Sequence, residues 1–167
     1  NPQTVPLRVQ VDGDRLFTFR TVAPRTTTVT VYDPSPREIA FPPNANPAVA
    51  VFEGDLVAYP TTWTDRDQRF RDRRLVVANW VTGEQRYTVE LPSAISALDL
   101  RPSGRVVATV EDTLFEVSPT GAARMIVADR DSDGFFAGEH IVFASDGALR
   151  VLDPTGRVRR FGIRTNT

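Results

Sequence analysis

The stretch Asp129-Arg130-Asp131-Ser132-Asp133-Gly134 holds the most metal-like grouping of oxygen ligands in the chain. Carboxylates at alternate positions followed by glycine are how a Ca2+ loop begins: Asp129, Asp131 and Asp133 can turn inward together while Gly134 permits a sharp bend. The pattern then stops, because the ninth position is Ala137 and the twelfth His140, which leaves Glu139 out of register for a bidentate ligand. Ca2+ held by the three aspartates and a plain polar connection both fit these residues, and no other cofactor is implied.

A second group runs from Trp63 to Arg74, where five Arg and three Asp stand beside two aromatics. Arg and aromatic side chains concentrate at protein interfaces, so Trp63, Arg66, Arg69, Phe70 and Arg71 are candidates for contact with a protein partner; the alternative is a solvated, partly self-paired hairpin loop. The interleaved Asp residues cancel much of the local charge. With a formal net charge of −1 and a pI near 5.9, nucleic acid is not an expected partner. Arg157, Arg159, Arg160 and Arg164 crowd the C-terminal end, where charge on an outer-edge strand guards against sheet-to-sheet pairing.

Covalent chemistry has little to work with. The chain has no Cys, all its basic side chains are Arg, and its one histidine, His140, has no nucleophile motif beside it. A Cys nucleophile and a Lys Schiff base are excluded, a triad could use only His140, and no catalytic residue is assigned. Paired carboxylates stay open, since Asp and Glu total 21, but linear spacing selects no pair.

No apolar run is long enough to span a bilayer, so membrane insertion is not expected. The absence of Cys is silent on redox compartment. Arg in place of Lys reads as high-GC codon usage. A chain opening on Asn1-Pro2 reads as a processed product, with an exported or cell-envelope setting favoured over the cytoplasm.

The elements that must position these groups come as a repeat. Asp12-Gly13-Asp14-Arg15-Leu16-Phe17, Glu53-Gly54-Asp55-Leu56-Val57, Ser103-Gly104-Arg105-Val106-Val107 and Ala137-Gly138-Glu139-His140-Ile141-Val142 each place a glycine turn before a short apolar run. These glycines lie 41, 50 and 34 residues apart, the longest interval carrying the Trp63–Arg74 insertion. Each unit then closes on a turn at Val31–Pro36, Asn79–Gly83, Val117–Gly121 or Leu152–Gly156. A last short strand follows, expected at Glu38–Phe41, Gln85–Leu91, Ala123–Ala128 and Arg157–Phe161. Val, Thr, Phe and Leu dominate the runs, Gly, Pro, Asp and Ser bound them, and no helix is needed; Ser93–Leu98 reads as strand because Pro flanks it at 92 and 102. Spacing near 40 residues with four short strands per unit predicts an all-β chain of about four antiparallel blades at 4–41, 46–91, 94–128 and 134–163.

Arg101-Pro102-Ser103-Gly104-Arg105-Val106-Val107 followed by Leu114-Phe115-Glu116-Val117-Ser118-Pro119-Thr120-Gly121 resembles the blade of bacterial WD40-like, YVTN and TolB-type β-propellers. The Trp-Asp and Gly-His dipeptides of eukaryotic WD40 repeats are absent, and Ser103 stands where the bacterial pattern has Asp. The resemblance implies a propeller, an architecture that hosts many functions.

Four blades are few for a ring, and an open arc leaves the flat sides of its end blades in water. A tight four-bladed ring, two chains meeting as an eight-bladed ring, or a piece of a larger propeller would each cover them, the last two being favoured. The expected role is a non-enzymatic protein-binding or scaffold propeller completed by another chain or a second copy. The alternative is a hydrolase or lyase fragment using carboxylates, with or without Ca2+, around a central channel.

Overall fold

The computed structural model describes residues 7–23, 26–64, 70–129 and 133–161. Sixteen strands form four antiparallel sheets, each a simple meander in chain order. The first holds β1 (Leu7–Asp12), β2 (Arg15–Ala23), β3 (Thr26–Asp33) and β4 (Ser35–Ile39). The second holds β5 (Val51–Glu53), β6 (Leu56–Thr64), β7 (Phe70–Asn79) and β8 (Gln85–Glu90). The third holds β9 (Ile95–Leu100), β10 (Val106–Val110), β11 (Thr113–Val117) and β12 (Ala123–Ala128). The fourth holds β13 (Gly134–Ala137), β14 (His140–Ser145), β15 (Ala148–Leu152) and β16 (Val158–Phe161). The opening strands β1, β5, β9 and β13 touch in succession, so the sheets radiate from a shared inner edge as propeller blades do.

The repeat glycines form the turns assigned to them. Gly13, Gly54, Gly104 and Gly138 link first to second strands at φ of 60, 57, 87 and 62°, a left-handed conformation that costs glycine nothing. Ser93–Leu98 falls largely on β9, as the flanking prolines indicated.

Three details differ from the sequence reading. The last strand of the first sheet begins at Ser35 rather than Glu38, because the chain bends at Pro34 alone and Asp33 pairs directly with Ser35; Phe41 is thereby left off the sheet. A short 3-10 turn occupies Pro47–Val49, with Pro47 at its start and the Asn46 side chain accepting a hydrogen bond from the Ala48 N–H at 3.2 Å. In the Trp63–Arg74 insertion the described residues 63–64 and 70–74 are strand, β6 and β7 extending with Trp63 opposite Arg71.

Burial occurs between blades. Phe17, Phe19, Val29 and Val31 of the first meet Phe52, Val57, Tyr59 and Val76 of the second, with Phe17 and Phe52 stacked at 4.2 Å. Leu56, Ala58, Leu75 and Val77 of the second meet Ile95, Val106, Ala108 and Val117 of the third. Val107 and Leu114 of the third meet Ile141, Phe143 and Leu152 of the fourth. These three cores join consecutive blades, and no core among the described residues joins the fourth to the first. The sequence pattern follows the position. In the second and third blades Leu56–Thr61 and Val106–Val110 are buried on both faces, whereas β2 buries Phe17 and Phe19 but not Leu16 and Thr18.

The junctions are close-packed. Gly134 sits against Leu114, whose Cδ2 lies 2.6 Å from where a Cβ would be. Gly134→Ala is expected to cost about 2 kcal/mol by overpacking, and Phe17→Ala about 4 kcal/mol through the cavity it leaves, both read from urea unfolding.

Candidate functional site

A propeller's working surface is usually its axis or its rim, and here the axis carries carboxylates. Asp12 ends β1, Glu53 ends β5 and Asp99 lies next to the end of β9, so the repeat places three acids near the inner edge of successive blades. Two of them are stitches. Asp12 Oδ2 accepts from the Gly54 N–H at 2.7 Å, and Asp99 Oδ2 accepts from the Phe136 N–H at 2.6 Å while its Oδ1 accepts from Leu100 N–H. Gln10 works in the same way, its amide bonding both the N–H and the carbonyl of Phe52. In each case a side chain of one blade satisfies backbone of the next.

Glu53 is different. Among the described residues its carboxyl has no hydrogen-bond partner, and burial first, then Asp12 and Asp99, push its pKa above the usual carboxylate range, with Arg101 opposing. Of the three axial acids it is the one that makes no hydrogen bond to the next blade.

Between the third and fourth blades lies a second charged cluster. Glu116, only 8% exposed, accepts from Arg105 at 2.6 and 3.1 Å and from Arg124 at 2.6 Å. Burial alone would raise its carboxyl; the two guanidinium partners outweigh burial and hold it below its ordinary value. Arg105 also reaches Glu139 at 3.0 Å and covers the Phe136 ring at 5.2 Å. This chain of charges ties two blades together.

Between the outer strand of the first blade and the middle strands of the second, Phe41, Tyr59 and Trp80 line a cavity of about 340 Å³ with Ile39 and Pro42. Trp80 donates its indole N–H to the Gly54 carbonyl at 2.9 Å, and Arg37 stacks over its ring at 4.8 Å. Sequence reasoning missed this cavity because Phe41 was placed on a strand and Trp80 was read only as part of a turn.

The residues singled out from sequence fare unevenly. Asp131 lies outside the described residues; Asp129 accepts from the Asp146 N–H, and the carbonyl of Asp133 accepts from Ala144 N–H, so both ends of that stretch engage β14 or its turn. Among the described residues no three His, Cys, Asp or Glu side chains are grouped to hold a metal ion. Arg66 and Arg69 lie outside the described residues, as do the side chains of Trp63, Phe70 and Arg71. His140 begins β14 and is exposed, and Arg159 and Arg160 lie on the exposed strand β16. Arg164 lies outside the described residues.

The two perturbed glutamates make opposite pH signatures. Glu53, raised in the folded state, favours folding below the ordinary glutamate range, and that contribution is lost as pH rises through its raised value. Glu116, lowered, favours folding above the ordinary range, and its contribution is lost as pH falls through its lowered value. Thermal melts from pH 3 to 7 should therefore show Glu53→Gln gaining stability over the parent toward neutrality. Glu116→Gln should lose about 2 kcal/mol there and converge with the parent in acid.

No family model and no curated protein matches the chain. Solved structures do. Hsv2 of Kluyveromyces lactis superposes at TM-score 0.61 with 14% identity, covering 98% of this chain and 51% of its own. A HIRA fragment gives 0.62 at 17% identity over 100% and 58%, and virginiamycin B lyase from Staphylococcus aureus 0.54 at 13% over 99% and 72%. The chain thus spans about half the length of Hsv2 and under two thirds of the HIRA fragment. At these identities the likeness speaks to fold, and together with the radial meanders it establishes four consecutive β-propeller blades forming a partial propeller.

Proposed function

We propose that the chain is a non-enzymatic scaffold whose end blades bind another propeller segment, supplied by a second chain or a second copy. One observation carries this reading: four blades share three cores, which leaves one flat side of the first blade and one of the fourth without a covering sheet among the described residues. Each side carries an apolar patch. Val9, Val11, Leu16 and Tyr32 share the open side of the first blade by strand register, and Phe135, Leu149 and Phe161 share that of the fourth; all are exposed. Contiguous apolar surface of this kind marks an association site.

Glu53 gives a second reading some footing, in which a carboxyl beside the axis, held above its ordinary range by burial, serves hydrolase or lyase chemistry. That chemistry needs a partner group, and the nearby Asp12 and Asp99 are already engaged with backbone N–H groups.

The scaffold reading predicts that the chain, diluted until it sediments at 18.5 kDa, enhances the fluorescence of an apolar dye, and that Val11→Asp combined with Leu149→Asp removes most of the enhancement. A monomer that unfolds in one cooperative transition and leaves the dye dark would overturn it.

A further inference from the structure

Resting on that reading, we infer that the occupant of both open sides is a second copy of this chain, joined head to tail so that the fourth blade of each copy covers the first blade of the other. One clamp is used twice inside the molecule. Arg15, the first residue of β2, reaches across to Asp55, the residue after the turn glycine of the next blade, at 3.0 Å. Arg105, just ahead of β10, reaches Glu139, again the residue after the next blade's turn glycine, at 3.0 Å. Each junction so built runs forward: a basic group at the start of a second strand meets an acid in the glycine turn of the following blade. The junction between the second and third blades replaces it, with Tyr87 Oη donating to the Gly104 carbonyl at 2.7 Å.

Two halves of this clamp are left over, and they stand at the two ends of the arc. His140 is the first residue of β14 in the fourth blade, at the basic position. Asp14 follows the turn glycine Gly13 in the first blade, at the acidic position. Both are exposed. They belong to the same two blades whose apolar sides lack a cover, so the unused acid, the unused base and the bare faces all call for one junction, fourth blade onto first. Within one chain that junction has no core among the described residues, whereas two copies supply it twice and close on themselves. The aromatic Phe135 and Phe161, opposite Val11 and Tyr32 in such a seam, are the residue types that anchor interfaces. A net charge of −1 puts little repulsion between copies.

Sedimentation equilibrium with variants tests this. The parent is expected at twice the 18.5 kDa chain mass. Val11→Asp and Leu149→Asp should each yield monomer at the same concentration, and mixing the two should restore part of the dimer, because the mixed pair keeps one seam intact. His140→Glu alone should weaken association roughly tenfold, and His140→Glu with Asp14→Arg should recover it; since both positions are exposed, these variants report on the seam even where an apolar-face variant fails to fold. Near-UV circular dichroism identifies any such failure. A dimer disrupted by only one of the two apolar-face variants would mean like faces meet, and would overturn the head-to-tail seam. A monomer that still lights the apolar dye would overturn the second copy while leaving the scaffold reading standing, and a dye-dark cooperative monomer would overturn both.

Discussion

A single four-stranded meander cannot bury its own faces: each side chain points to one flat side or the other, and a side is removed from water only by a neighbouring sheet. In this chain nearly all burial is of that kind. Phe17 lies against Phe52, Ala58 and Val77 against the third blade, and Leu114 against Gly134 and the fourth. At about 25 cal/mol per Å² of apolar surface, each junction is a shared asset of two blades, so the blades fold together or hardly at all. The open sides at the arc's ends follow from the same rule, since among the described residues no core joins the fourth blade to the first.

Polar groups set the register of these junctions. The inner strands carry Gln10, Asp12 and Asp99, which complete backbone hydrogen bonds on the next blade's first strand, and the turn region carries Arg15 and Arg105, which meet acids one blade further on. A slip of one residue would turn these groups to the other side of the sheet and leave the N–H groups of Phe52, Gly54 and Phe136 without their acceptors. Apolar contact supplies the attraction and the stitches select the alignment.

Much of the architecture was legible because turn chemistry is local. A glycine at φ above zero announces itself in sequence, and Gly13, Gly54, Gly104 and Gly138 marked every first turn. The misplaced strand at Glu38 shows the limit: one proline bend at Pro34 replaced the longer turn expected over Val31–Pro36, and composition does not distinguish the two. Sites were harder to read. Asp12, Glu53 and Asp99 are near neighbours only because the repeat stacks blades around an axis; comparing the same position in successive units would have found them, whereas linear spacing could not. The cavity between the first two blades joins Phe41 to Trp80, whose meeting depends on how those blades pack.

The two bare sides are unlike each other, one offering valines, a leucine and a tyrosine and the other phenylalanines and leucine. Surfaces that differ in this way give any assembly a direction, as a plug and socket do. In an assembly of copies, closure into a ring or growth into a fibre would be set by the rotation between successive blades. A substitution far from either end that opened or tightened one junction, at Leu75 between the second and third blades for instance, would change the shape of such an assembly without touching the surfaces that join it.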